Sequence, residues 1–316
     1  MTSTPPALSV IIPAHNPHPG RLHRTLAGLR AQTLPADRWE TLLVDNASAP
    51  ALAAADWNAA APADFRLIAQ PEPGLSQARH CGLSAARGEF AVLVDDDNVL
   101  APDYLANLLD LFQANPRVGV LGGRSLPEFE SVPPAWAAEF SSLLALRDLG
   151  NAPLRSHGLR PTGASRNEYP VFAPIGAGMA LRRAAWTVWL DARQAAPNPI
   201  SDRRGTELTS GGDNDIVLHA MRAGWEVGYF PSLALAHLIP AGRLEPGYLA
   251  RLNRGIQRSW MQVLTLHDAN PWPLLSPAGA AARKAKAWFA YQPWRSPAAH
   301  IRWQGACGHF DGRVRS

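Results

Sequence analysis

The sequence predicts an α/β protein, with a mostly parallel sheet flanked by helices and a helical, basic extension at its C-terminal end. Three observations carry that expectation. Short β-branched runs alternate with amphipathic segments through residues 1–121, the spacing of right-handed parallel βαβ units. The apolar fraction is 47% in 316 residues, and a chain of that length buries about three quarters of its unfolded surface. The net charge of +4 is unevenly spread: from Arg243 to Ser316 eleven Arg or Lys stand against Glu245, Asp268 and Asp311, a balance of +8 over a body of −4.

The elements follow in order. Leu8–Pro13, Thr41–Val44, Phe65–Ala69 and Phe90–Val94 read as buried strands, because they are short continuous apolar runs. Arg21–Gln32 places Leu22, Leu26 and Leu29 on one helical face, Ser76–Arg87 does the same with Ala78, Leu83 and Ala86, and Tyr104–Ala114 supplies a third helix. Val118–Leu121 reads as another strand, followed by a loop-rich stretch from Gly122 to about Tyr169. Ile175–Arg183 resumes order, Asp213–Ala223 is expected as a helix and Val227–Phe230 as a strand. Helical segments follow Tyr248, so residues 1–242 and 243–316 are expected as two units.

Composition removes several classes. Only Lys284 and Lys286 are lysines, and neither completes a GxxxxGK[ST] phosphate loop. Cys81 and Cys307 are isolated, which disfavours a disulfide framework or zinc knuckle and suits a reducing cytoplasm. The N-terminus carries no signal-peptide pattern, and no run is long enough for a membrane helix. A basic tail behind an acidic body suits an anionic surface, with a solvated arginine-rich face as the equal alternative. Arg283, Lys284 and Lys286 beside Trp288 and Trp294 point to peripheral contact with anionic membrane; no nucleic acid is expected.

Four segments carry chemistry. Asp95-Asp96-Asp97-Asn98 follows the strand FAVLV directly, and parallel sheets bind ligands at their carboxyl ends. Adjacent carboxylates repel by about 4 kcal/mol at 4 Å and a surface-like dielectric, which a hard divalent cation such as Mg²⁺ or Mn²⁺ relieves; an acidic turn is the plain alternative. Asp45 ends the strand LLVD and either accepts from a nucleobase N–H or caps the next turn. Glu72-Pro-Gly-Leu-Ser-Gln-Ala-Arg79 runs a glycine turn into a helix start, an anion site that Arg79 could fork onto. Ser210-Gly-Gly-Asp-Asn-Asp-Ile216 sets Asp213 at a helix start, where capping alone would explain one aspartate. His237 in LALAHLIP is, by itself, more readily a satisfied core residue than a ligand.

Taken in this order and spacing, the segments from Leu8 to Arg243 resemble family 2 glycosyltransferases of the GT-A fold. The resemblance implies a nucleotide half at residues 1–121 and an acceptor half at 122–242. It implies that Ser9–Asn16, with Pro13 and Asn16, flanks the nucleoside, that Asp45 supports the base, and that Arg79 and Gly82 border the diphosphate. Asp95 and Asp96 then serve the donor, while Asp95, Asp97 and His237 hold Mn²⁺ or Mg²⁺. Gly176–Arg183 lines the sugar and acceptor sites, and Asp213 is the general base of an inverting transfer to a glycan or lipid-linked hydroxyl. Three departures stand out: Gly212 replaces the acidic residue that usually precedes the base, His80 stands where an asparagine often follows the arginine, and Asn46-Ala47 softens the acidic donor turn. A nucleotidyltransferase acting on sugar phosphates needs a similar acidic site, and a non-catalytic nucleotide-sugar binding protein would not need Asp213. A dinucleotide oxidoreductase is disfavoured, because no GxGxxG follows the first strand. The expected setting is cytoplasmic, peripheral at the inner face of the membrane.

Overall fold

The computed structural model describes residues 5–156, 169–195, 202 and 208–315. The apolar runs of the first half form β1 (Leu8–Ala14), β2 (Trp39–Asn46), β3 (Phe65–Gln70) and β4 (Phe90–Leu93), interleaved with helices α1 (Pro19–Arg30), α2 (Ala54–Trp57) and α3 (Leu75–Ala85). All residues of β1, β2 and β4 are buried, as a strand covered on both faces requires. β1 pairs in parallel with β2 and β4, and β2 with β3. The short β5 (Asn98–Leu100) and helix α4 (Tyr104–Ala114) come next.

The second half departs from the expected long loop. β6 runs from Val118 to Phe129, well beyond Leu121, and a 3₁₀ helix spans Ala135–Leu144. β7 (Leu154–Arg155), β8 (Met179–Arg182), α5 (Arg183–Ala195) and α6 (Gly212–Arg222) follow, and β9 extends from Glu226 to Ile239 rather than stopping at Phe230. The strands form a single sheet ordered β3-β2-β1-β4-β8-β6-β9-β5, with β7 also on β9. β6 and β9 pair in parallel, whereas β8 runs antiparallel to β4 and β6, so the parallel half continues into a mixed one.

Two apolar layers cover the sheet. One packs α1 and α4 against Leu8, Val10 and Ile12 of β1. The other packs α3, α5 and α6 against Ile11, Leu42 and Leu93, with Trp186 and Trp189 of α5 fully buried. Truncating either tryptophan to alanine would cost roughly 3–5 kcal/mol.

The extension is helical, as expected: α7 (Pro246–Leu266), α8 (Pro277–Tyr291) and α9 (Pro297–Asp311). Ser276 and Ser296 cap α8 and α9 by accepting from Gly279 N and Ala299 N, both at 3.1 Å. Glycines let α9 lie close on α7: a Cβ at Gly308 would sit 2.1 Å from Arg254 O. A third apolar cluster joins α7 and α9 to the 3₁₀ helix through Leu249, Leu252, Ile301 and Phe140. Among the described residues, no helix is long and apolar enough to cross a membrane.

Candidate active site

A cavity of about 320 Å³ opens at the carboxyl ends of β1, β2 and β4, where a parallel sheet places its ligands. Pro13 and Asn16 leave β1 along one wall, Asn46 closes β2, and Asp95, Asp96 and Asp97 follow β4. His237, Arg243 and Tyr248 come from the C-terminal side, with Leu144 of the 3₁₀ helix.

The donor-side turns are stitched by backbone hydrogen bonds. Asn16 adopts φ +47°, a left-handed geometry that asparagine tolerates, and its Oδ1 accepts from Ala49 N at 2.8 Å. Asn46 donates to Glu72 O at 2.6 Å and accepts from Gly74 N at 2.7 Å, a double role that no carboxylate could fill. Asp45 is buried, and its two oxygens accept from Ser48 N at 3.1 Å and Leu52 N at 2.9 Å. In this state its carboxylate organises the turn, and Asn46 is the β2 residue that faces the cavity. Gly74 enters α3 at φ +140°, where a side chain would be strained.

Asp97 is the hub of the acidic turn. Arg243 Nη2 lies 3.0 Å from its Oδ2 and His237 Nε2 lies 3.3 Å from its Oδ1. The register explains the second contact, since Asn98 of β5 pairs with His237 of β9. Arg243 Nη1 also lies 3.1 Å from His237 Nε2, so the guanidinium touches both the imidazole and the carboxylate. Asp96 is pushed up to about 7 by burial, and then by the charges of Asp97 and Asp95. Surplus negative charge among hard oxygen donors, with an imidazole beside it, suits Mn²⁺ or Mg²⁺.

Arg79 is only 3% exposed. Its guanidinium lies 3.9 Å from Asp95 and 3.6 Å from Asp202, and it presses on Gly176, where a Cβ would meet Nη2 at 2.2 Å. It thus braces the donor turn from behind. Asp213 stands at the start of α6; its Oδ2 accepts from Gly176 N at 3.0 Å and its Oδ1 from Asn214 N at 2.9 Å. Ile175, next to that glycine, lines a second and larger cavity of about 720 Å³. Leu144 lines both cavities, so the two adjoin. The structure therefore gathers Pro13, Asn16, the three aspartates and His237 around one cavity, whereas Asp213 lines neither cavity and is held by Gly176 N, next to Ile175 of the second. Asp202 escaped the sequence reading altogether, because an isolated aspartate in a polar stretch carries no local signal.

One other polar cluster is buried beneath α6. Asp215 Oδ2 accepts from Trp189 Nε1 at 2.8 Å, and its Oδ1 lies 2.8 Å from His267 Nε2 and 3.3 Å from His219 Nδ1. Burial works against the Asp215 charge, but these hydrogen bonds win and hold its carboxyl far below the usual range. His219 is raised: burial opposes its charge, and the Asp215 hydrogen bond and charge outweigh that. With its oxygens engaged, the cluster reads as a strut from α6 to the end of α7.

The α/β fold, a mixed sheet flanked by helices, matches that of solved GT-A glycosyltransferases. A mannosyltransferase from Pyrobaculum calidifontis, PcManGT, solved with GDP-Man and Mn²⁺, superposes with a TM-score of 0.58 at 17% identity, over 98% of this chain and 88% of that one. TarS of S. aureus superposes with a TM-score of 0.50 at 13% identity, over 97% of this chain and 90% of that one. The family model for glycosyl transferase family 2 matches residues 9–189, and the chain belongs to that family. Among curated relatives, the succinoglycan biosynthesis protein ExoW of Rhizobium meliloti (strain 1021) is 36% identical over 106 residues, 32% of each chain. The O-antigen biosynthesis protein RfbC of Myxococcus xanthus is 31% identical over 147 residues, 42% of this chain and 11% of its own length. The chain spans less than half the length of the curated relatives it matches.

Proposed function

We propose that this glycosyltransferase moves a sugar from a nucleoside-diphosphate donor to an acceptor hydroxyl with inversion, in glycan, polysaccharide or glycolipid biosynthesis. The observation that carries the reading is the acidic turn Asp95–Asp97, in contact with Arg243 and His237 along one cavity, with Asp213 held at the start of α6 by Gly176 N. The GDP-Man and Mn²⁺ bound by PcManGT and the biosynthetic roles named for the curated relatives support it.

The nucleoside lies between Pro13–Asn16 and the Asn46 turn, with Asp45 holding that turn in place. Asp95, Asp97 and His237 would hold Mn²⁺ or Mg²⁺, which when bound supplies charge stabilisation to the departing diphosphate. Arg79, buried behind the turn, keeps Asp95 oriented and adds positive potential to the diphosphate side. Asp213 takes the proton of the acceptor hydroxyl while Gly176 N fixes one of its oxygens. The acceptor occupies the larger cavity beside Ile175. The basic C-terminal extension supports a cytoplasmic setting with peripheral contact at the inner face of an anionic membrane.

The test is Asp213→Asn, assayed against a panel of nucleotide sugars with Mn²⁺. Transfer should fall about 10²–10⁴-fold while donor affinity stays near that of the native protein, since a base acts mainly in the chemical step. Unchanged turnover would remove Asp213 from this role.

A further inference from the structure

Exposed aromatic side chains gather at one place on the extension. Across the end of α8 and the turn into α9, Trp288 is 39% exposed, Phe289 70%, Tyr291 43% and Trp294 58%. A concentration of water-facing rings this dense marks an interaction surface. The rings are held in place rather than loose: the Trp288 centroid lies 5.4 Å from Trp294 and 4.8 Å from Trp303. Gln292 closes α8 with an N–H bond to Trp288 O at 3.0 Å, and Ser296 opens α9, so the turn between them is short and capped at both ends.

The charge around this turn has one sign. From Ala269 to Phe310 there is no Asp or Glu, against Arg283, Lys284, Lys286, Arg295 and Arg302. The structure divides those five. Lys284, expected on the lipid-facing surface, is held by Asp311 at 2.8 Å, and Arg302 is gripped by Glu139. Arg283, Lys286 and Arg295 are exposed and pair with no carboxylate among the described residues. An aromatic wedge with such cations along α8 and the turn that follows it complements anionic headgroups over an acyl interior, where Trp and Tyr rings settle and each cation meets a phosphate.

We propose that the α8–α9 turn is the membrane-docking element of this protein. Phe289, Tyr291 and Trp294 enter the headgroup region of an anionic bilayer, and Arg283, Lys286 and Arg295 rest on its phosphates. The proposal rests on the peripheral contact read above and gives that contact a place in the fold. Arg302, in the first turns of α9, grips Glu139 in the 3₁₀ helix that walls the larger cavity, so docking here ties that cavity to the bilayer.

The experiment is co-sedimentation of the full chain with vesicles of phosphatidylcholine alone and of phosphatidylcholine mixed with phosphatidylglycerol, at low and high salt. The native protein should bind the mixed vesicles only, and less at high salt. Two triple variants should keep the native melting temperature and lose this binding: Phe289→Ser with Tyr291→Ser and Trp294→Ser, and Arg283→Gln with Lys286→Gln and Arg295→Gln. The loss for three neutralised cations is roughly a hundredfold in partitioning. The single change Trp294→Ser serves as the milder form if a triple variant melts early. Mixed-vesicle binding that both variants retain overturns the assigned element and leaves peripheral contact standing. No binding of the native protein at low salt overturns both. A dimer that the aromatic variant abolishes, with no vesicle binding, assigns the face to a second copy instead.

Discussion

At Gly212 a single added Cβ would come within 2.3 Å of Ser76 Oγ and 2.6 Å of Asp202 Oδ2. The space where the family usually carries an acidic side chain before the base is already filled, and a carboxylate from a different segment fills it. Asp202 faces the same Arg79 that braces Asp95. Removing one partner of a buried ion pair costs about 3–5 kcal/mol, which is the loss expected for Asp202→Ala. Gly212→Glu alone should be destabilising as well, by about 1–3 kcal/mol, because it overfills the site. Combined, the two changes should recover much of the loss, since one carboxylate then replaces another beside the guanidinium. Melting temperature and transfer rate read the result; losses that simply add would refute the exchange.

The Asp215, His219 and His267 strut couples two elements, α6 bearing Asp213 and the end of α7. Its pH behaviour follows from the shifts. Asp215 is depressed, so its contribution to stability is full above the ordinary carboxylate range and lost only in strong acid. His219 is raised, so its contribution is full below the ordinary histidine value of about 6.5 and is lost as pH climbs through its folded value. Thermal melts should therefore decline as pH rises above about 6.5, and His219→Gln should flatten that decline; an unchanged slope would dismiss the coupling. Elements with uniform apolar runs, such as β1 and β4, were legible in the sequence because burial on both faces leaves an unbroken signature. β6 and β9 were cut short in that reading, because Gly122-Gly123-Arg124 and Pro231-Ser232 interrupt it, yet the chain continues as strand with a register shift between Gly122 and Arg124. α5 went unseen, since Arg183, Asp191 and Arg193 mask the stripe formed by Trp186, Trp189 and Leu190. In the site, the acidic turn, His237 and Asp213 were visible as short motifs, while the pairing of Arg79 with Asp202 depends on distant segments and leaves no trace in sequence.

For the molecule as a whole, Arg243 pairs with Asp97, the carboxylate that we propose as a ligand of the divalent cation. Arg243→Gln should lower stability by about 1–3 kcal/mol, as a partly buried charge pair is broken. The same variant should gain more in melting temperature from Mn²⁺ with a nucleoside diphosphate than the native protein does, because ligands that bind the folded state stabilise it by mass action. The pair should exceed the sum of either ligand alone in both proteins; no shift in either would break the link between this turn and the metal. The placement of β9 bears on when the acidic turn can take its final form. β1 to β4 pair among themselves early in the chain, but β5, which fixes the far side of the acidic turn, is held by β9, and β9 enters the sheet beside β6 more than a hundred residues later. Pairings between strands so far apart in sequence form late. A nascent chain on the ribosome can thus pair β1 to β4 while the acidic turn still lacks the strand that holds its far side.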